Sequence, residues 1–303
     1  MRIAHGIARA LSSRSYREQQ YRKRLWPWVT RLYGNVAYVG IANETERILC
    51  FARDRAVTKR LLMYGHYQKD DLLTAIAIVE AAGATLGGCF VDVGANIGTQ
   101  TIYALNSGRF ARALCLEPEP ENLRLLRANL LLNGLEARGD IRSVAASDAA
   151  GVVTFALSPD NFGDHRVVRG ASDAQPPEQH GESQRRTVEV KCARLDDVLE
   201  DAGIAGSDVS MVWVDTQGHE GYVLAGAERL LQGPTPFVIE FWPYALRRAG
   251  GLELLLRELK RHFAFYYDLG QGRAATRQPI ATVDALVERL PGSGDYTDLI
   301  LTK

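Results

Sequence analysis

One segment, Phe90-Val91-Asp92-Val93-Gly94-Ala95-Asn96-Ile97-Gly98-Thr99-Gln100, constrains the fold more than any other part of the chain. An apolar run stops at an acid, crosses a glycine-punctuated turn and enters Thr101-Ile102-Tyr103-Ala104-Leu105, a helix-like stretch. That order predicts a buried strand feeding a helix, with glycine where the backbone turns sharply and a ligand approaches closely. Past Gly98, a second strand-like run, Ala113-Leu114-Cys115-Leu116, ends at Glu117. An acid about 20 residues beyond such a loop is placed to accept hydrogen bonds from both hydroxyls of a ribose. Together the two features predict a site for a nucleoside-containing cofactor.

The spacing of the polar residues narrows the ligand. A dinucleotide loop reads G-x-G-x-x-G and seats a pyrophosphate on the helix N-terminus. Here the pattern is Asp92-x-Gly94-x-Asn96-x-Gly98. An Asp at the strand end opposes a pyrophosphate and suits an ammonium or a cationic sulfonium, as in S-adenosylmethionine. Asn96 can hydrogen-bond a carboxylate or a hydroxyl without adding charge. The bland alternative is a tight strand-to-helix turn with no ligand.

The chain has 303 residues, enough for one large or two small domains, and 36 basic residues balance 36 acidic ones. No global field therefore favours nucleic acid, and no nucleic-acid partner is expected. The cysteines Cys50, Cys89, Cys115 and Cys192 show no C-x-x-C spacing, so a reduced compartment is expected, with neither a zinc site nor a disulfide framework. No bilayer-spanning run or secretory h-region is visible, and the expectation is a cytoplasmic protein. Residues 1–34 form a basic arm in which Arg and Lys face the single acid Glu18, with Trp26 and Trp28 near its end. Such an arm is suited to a peripheral membrane or acidic-partner contact, or is a solvated helix, or resembles an organelle transit peptide without a visible cleavage signal.

A segment over 35–87 reads as an N-terminal extension, with a strand pair between Asn35 and Phe51 and a helix over Lys69–Ala82. From 88 to 303 strands and helices alternate, the pattern of a parallel sheet covered on both faces. Predicted strands are Cys89–Val93, Ala113–Glu117, Ile141–Ala146, Val209–Asp215, Phe237–Phe241, Ala264–Tyr267 and Thr297–Leu301. Predicted helices are Ile97–Asn106, Glu119–Leu132, Gly221–Leu231 and Leu252–Arg261. Between Val152–Leu157 and Thr187–Val190, two further strands, lies a polar insertion at about 158–186. Loops of that length are usually functional or disordered. Its tip, 170–183, reads as mobile and its base as meaningful.

In open α/β sheets ligands bind beyond the carboxyl ends of strands. Asp92, Glu117, Asp215 and Glu240 would all lie on that edge, which places Asp215 beside the cofactor and gives Glu240 a substrate-side role. His219, within a turn of Asp215, is a candidate general base for catalysis, or a helix cap. At the base of the insertion, His165 and Arg166 are candidate substrate contacts, or members of an ordinary turn, and His165 is a second candidate base. Asp215, His219, Glu220 and Glu240 form no compact acidic run, so no metal is expected.

These residues resemble the FkbM-type family of S-adenosylmethionine-dependent methyltransferases. Val91-Asp92-Val93-Gly94-Ala95-Asn96-Ile97-Gly98 matches the cofactor loop of that family, and Leu116-Glu117-Pro118 its ribose-binding acid and proline. Asp215-Thr216-Gln217-Gly218-His219-Glu220 followed by Val223-Leu224-Ala225-Gly226-Ala227 is similar to its fourth-strand signature. The likeness spans about Leu49 to Trp242. Trp213 stands where the family often has Lys, and Gln217 where it often has Glu. The resemblance implies an α/β fold of the class I methyltransferase (Rossmann-like) type, a doubly wound seven-stranded sheet with an antiparallel last strand. It also implies O-methylation of a hydroxyl on a sugar, polyketide or other small metabolite. The competing expectation is a non-catalytic cofactor-binding or partner-binding protein on the same fold. The oligomeric state is not legible.

Overall fold

The structure, a computed structural model, describes residues 37–169 and 177–303. The basic arm and the first part of the insertion tip, 170–176, lie outside them. A hairpin, β1 (Tyr38–Ala42) and β2 (Arg47–Phe51), and two helices, α1 (Val57–Tyr64) and α2 (Lys69–Ala81), precede the main sheet. The sheet strands that carry the site are β3 (Gly87–Val93), β4 (Phe110–Leu116) and β5 (Gly139–Arg142). After β6 (Ala145–Ala146), β7 (Gly151–Leu157), β8 (Arg166–Val168) and β9 (Arg186–Ala193), the sheet resumes with β10 (Val209–Val214) and β11 (Phe237–Phe241). β12 (Phe265–Asp268), β13 (Gln278–Pro279) and β14 (Thr297–Thr302) complete it.

Side-chain alternation shows why the strand runs read as continuously apolar. Cys89, Val91 and Val93 enter one core while Phe90 enters the other, and Trp213 and Val214 divide in the same way. Each strand is buried on both faces, as parallel strands between helical layers must be. One layer is α5 (Leu195–Asp201), α6 (Glu220–Ala225) and α8 (Leu252–His262). The opposite layer is α1, α2, α3 (Thr99–Asn106) and α4 (Pro120–Leu132). The strand order is β13-β12-β14-β11-β10-β3-β4-β5, with β3, β4, β5, β10 and β11 parallel and β14 antiparallel to β11 and β12. This is the expected doubly wound sheet with an antiparallel last strand, enlarged at one edge. The two-residue β13 makes an eighth strand, a pairing too short for periodicity to reveal.

The predicted strand Ile141–Ala146 is two strands. β5 stays in the main sheet, and after Ser143 and Val144 the chain crosses to a second sheet, where β6 pairs with β9. That second sheet, ordered β6-β9-β7-β8, has its own small core of Phe155, Leu157, Val167, Val190 and Cys192. The insertion therefore belongs to a small mixed sheet, in which β7 pairs antiparallel with β8 and β9 while β6 pairs parallel with β9. Strand β8, helices α1, α5, α7 (Pro243–Arg248) and α9 (Ala285–Arg289) are short elements that the sequence pattern did not separate from loops. Among the described residues no helix is long and apolar enough to cross a membrane.

Candidate functional site

Tight turns leave β3 and β10 side by side. Gly94 sits at φ 83°, and a Cβ there would lie 2.0 Å from the Asp215 carbonyl oxygen, so only glycine lets the two loops close on each other. Asn96 and Gln217 also hold left-handed φ values, 51° and 56°, uncommon away from glycine. Glu220 fixes the second turn. Its Oε1 accepts from the Thr216 N–H and hydroxyl, both at 2.9 Å, and its Oε2 from the Gly218 N–H at 3.0 Å.

Between these turns a cleft of about 500 Å³, partly open to solvent, is bounded by Gly94, Asn96, Glu117, Asp215, His165 and His219. Its apolar walls include Leu116, Val144, Phe155 and Phe162. Glu117, at the end of β4, accepts from the backbone N–H of Asn96 at 2.9 Å and of Glu119 at 2.8 Å. Burial nonetheless pushes its pKa up to about 8. Asn96 Oδ1 and Asn122 Oδ1 are buried without a hydrogen-bond partner. Donor-rich ligand groups such as ribose hydroxyls or an ammonium fit that set of acceptors.

Two expected cofactor ligands lie elsewhere. Asp92 does not line the cleft: its Oδ2 accepts from Thr101 Oγ1 at 2.5 Å, beside Cys115, beneath the loop. Strand alternation is the cause, because Val91 and Val93 point to the opposite core. Burial first, and then the charge of Asp215, raise its pKa to about 7. Gly98 is also off the cleft. At φ 88° it begins α3, and a Cβ there would meet Leu126 Cδ1 at 2.5 Å, so this glycine serves the packing of α3 on α4. Trp213, the residue in the family's usual lysine position, is buried in the core behind the sheet edge.

The histidines both reach the cleft, with different capacities. Ser158 N–H donates to His165 Nδ1 at 3.0 Å, which leaves the proton of the neutral ring on Nε2. His165 thus presents a donor, and the expected role as proton acceptor does not fit it. Burial holds its pKa down at about 4. Ser147 Oγ accepts from Arg169 Nη2 at 2.8 Å and donates to Asp148 at 2.9 Å. Its 3.0 Å contact with His219 Nε2 is therefore one in which the ring donates. His219 Nδ1 keeps a lone pair, buried without a partner, while the ring stacks on Tyr222 at 4.6 Å. Burial, with Arg169 nearby, lowers its pKa to about 3. His219 is placed to accept a hydrogen bond, yet so acidic an imidazolium makes it a weak general base.

Glu240 does not line the cofactor-side cleft. It opens on an adjoining cavity, bounded by Arg60, Tyr67, Asp164, His180, Trp242 and Tyr296 among others. Gly163 and Gln217 line both spaces. Arg166 lines a third cleft and is bound into a buried network. Its Nε donates to Asp164 Oδ1 at 2.5 Å and Nη1 to Glu182 at 3.1 Å, with the guanidinium 4.5 Å from the Trp242 ring centre. Arg185 donates to the other Asp164 oxygen at 2.6 Å. Arg166 thus knits the insertion to the region after β11, a structural task instead of the expected direct substrate contact. The residues that sequence reasoning missed are Asn122, Val144, Phe155 and Gln217 as a bridge. Asn122, Val144 and Phe155 carry no motif, while Gln217 stands within the fourth-strand signature; α4 carries Asn122 to the cleft, and the second sheet and the crossing into it carry Phe155 and Val144. Among the described residues no group of three or more His, Cys, Asp or Glu is arranged to hold a metal ion.

The model of the methyltransferase FkbM domain matches residues 92–262. A curated relative, 2-O-methyltransferase NoeI of Sinorhizobium fredii (strain NBRC 101917 / NGR234), is 29% identical over 146 residues, 46% of this chain and 58% of the relative. The chain therefore matches less than two thirds of that relative's length. Among solved structures, methyltransferase FkbM from Methylobacillus flagellatus KT is 18% identical, covering 71% of this chain and 43% of that one, with a TM-score of 0.42. A putative O-methyltransferase from Klebsiella pneumoniae is 12% identical, covering 77% and 78%, with a TM-score of 0.40. An O-methyltransferase from Bacillus cereus in complex with SAH is 13% identical, covering 78% and 80%, with a TM-score of 0.37.

Proposed function

The chain belongs to the methyltransferase FkbM family, and from that premise we propose that it is an S-adenosylmethionine-dependent O-methyltransferase acting on a small hydroxylated molecule, such as a sugar or a polyketide. The observation that carries the reading is Glu117 at the end of β4, facing a cleft in which Asn96 Oδ1 and Asn122 Oδ1 are buried without a partner. Its carboxylate would take the ribose hydroxyls, with the adenine against Val144, Phe155 and Phe162 and the methionine end toward Gly94 and Asp215. The curated relative named a 2-O-methyltransferase supports a hydroxyl acceptor.

When bound, the cofactor supplies an activated methyl group. The chain's own residues align the acceptor and exclude water. The cavity beside Glu240 is the acceptor's place in this reading, because it meets the cofactor cleft at Gly163 and Gln217. His165 Nε2–H and the His219 Nδ1 lone pair orient groups at the boundary.

Calorimetry with S-adenosylmethionine and with NAD, followed by transfer of a labelled methyl group to a panel of alcohols, tests this. The expected result is binding of the sulfonium cofactor and a new methyl ether. Preference for NAD, or cofactor binding with methyl transfer only to nitrogen, refutes the reading.

A further inference from the structure

We propose that Glu240 takes the proton of the acceptor hydroxyl, and that Gln217 ties its ionisation to the positive charge arriving beside Asp215; this rests on the sulfonium reading of the cleft. The geometry is that of two carboxylates, one at each of two adjoining cavities, joined by a single nitrogen. Asp215 lines the cofactor cleft and Glu240 the acceptor cavity. Gln217 Nε2 donates one hydrogen to Asp215 Oδ1 at 2.6 Å and the other to Glu240 Oε2 at 2.9 Å. Both hydrogens of that nitrogen are then used, and an amide nitrogen accepts none. Glu240 itself lines the acceptor cavity, so its proton can come and go on the side where a hydroxyl would stand. The left-handed backbone of Gln217, locked by Glu220 on either side, holds the bridge in this position.

The surroundings set the resting state. Asp215 faces Glu240 from β10, Glu220 from the following turn, Asp298 from the paired register position on β14, and Asp164 from the insertion. Arg60, Tyr67, His180 and Tyr296 share the cavity. Burial first, and these acids next, raise the Glu240 carboxyl well above the ordinary carboxylate range and so favour its neutral form in the empty site. A sulfonium and an ammonium placed against Asp215 act in the opposite sense and favour loss of that proton. In the transfer step the hydroxyl oxygen bonds the methyl carbon and gives its proton to the Glu240 carboxylate. The carbon–sulfur electron pair goes to sulfur, which becomes a neutral thioether. One positive and one negative charge vanish together, and Glu240 returns to the form that the emptied site prefers.

The test is calorimetry of the full chain at neutral pH, in buffers of low and high ionisation enthalpy, with S-adenosylmethionine and with its demethylated, sulfonium-free product. The expected wild-type result is release of up to about one proton more with the sulfonium form. Glu240→Gln should keep both affinities within about tenfold and lose at least half of that extra release, with partial recovery in Glu240→Asp. Equal release in wild type and Glu240→Gln, or equal release with both ligands, overturns the proposal. Failure of both ligands to bind overturns the cofactor reading beneath it. Infrared difference spectra of the wild type give the second readout, free of any folding defect in the variants. A protonated-carboxyl band should disappear with the sulfonium form and persist with its product, and a band that persists with both refutes the proposal.

Discussion

Replacing Glu117 with alanine separates two tasks of one carboxylate. In the folded chain its oxygens satisfy the backbone N–H groups of Asn96 and Glu119. Each donor left without an acceptor costs about 1–3 kcal/mol. The cleft opens to solvent, so water can enter the vacated place, and the total should fall near the lower end, roughly 2–3 kcal/mol. At ~2–4 °C for each kcal/mol, the midpoint of thermal unfolding should drop by about 4–12 °C. Affinity for S-adenosylmethionine should weaken by about 1–3 kcal/mol, roughly 5- to 150-fold, as the hydrogen bonds between Glu117 and the ribose are lost. Glu117→Gln discriminates between the tasks. Its amide oxygen still accepts one N–H while its NH₂ meets the other, so about half of the stability returns but little of the affinity. The sign with pH follows from the raised pKa of about 8. Glu117 contributes its stability below the ordinary carboxylate range and loses it as pH rises through about 8. The deficit of Glu117→Ala should therefore be largest in acid. Thermal unfolding across pH and calorimetry measure both quantities; unchanged binding by Glu117→Gln would refute the ribose role and leave Glu117 a loop anchor.

Gly94→Ala drives a Cβ into the Asp215 carbonyl and forces apart the loops after β3 and β10; expected are a destabilisation of about 1–3 kcal/mol and loss of cofactor binding, read by unfolding and calorimetry. Asp92, with its pKa raised to about 7, adds stability in acid that disappears as pH rises through 7, so Asp92→Asn should flatten the stability–pH curve in that range. His219 stays neutral down to about pH 3, so His219→Gln should leave any limb of the pH–rate profile between about pH 5 and 8 in place. Phe162 stacks on Phe51 at 4.2 Å and walls the cleft; Phe162→Ala should weaken cofactor binding by about 0.5–1.5 kcal/mol or more, and an unchanged dissociation constant would remove it from the adenine wall.

Electrostatics gives the cleft a preference that composition conceals. The chain has balanced charge, yet Asp92, Glu117, Asp215, Glu220, Glu240 and Asp298 are gathered at or beneath one sheet edge, each with its pKa raised. Burial is the first cause in every case, and a ligand carrying positive charge relieves it. The buried network of Asp164, Arg166 and Arg185 sits alongside as a neutralised wall. A site built this way selects against phosphate, as the missing third glycine of a dinucleotide loop also implies.

The sequence by itself determined most strands of the sheet and one end of the site. Strands buried on both faces must be apolar without interruption, so β3, β4, β10, β11 and β14 are legible as local runs, and an acid ending such a run is conspicuous. Glu117 and Asp215 were found for that reason, and Gly94 because a tight turn admits few residues. Which way an acid points is another matter. Asp92 and Glu117 both end apolar runs, but one-residue alternation sends Asp92 beneath the loop and leaves Glu117, just past its strand, facing the cleft. Only tertiary structure decided that. It also decided that Ile141–Ala146 would divide between two sheets, since the crossing at Ser143 and Val144 is driven by pairing with β9, 40-odd residues later. The histidine roles were equally out of reach, because a tautomer is set by the donor or acceptor opposite the ring: the donating Ser158 N–H for His165, the accepting Ser147 hydroxyl oxygen for His219. Gln217 is the clearest case, a neutral side chain whose place in the fourth-strand signature assigns it no role, and which becomes the link between two cavities because β10 and β11 set Asp215 and Glu240 within reach of its one nitrogen.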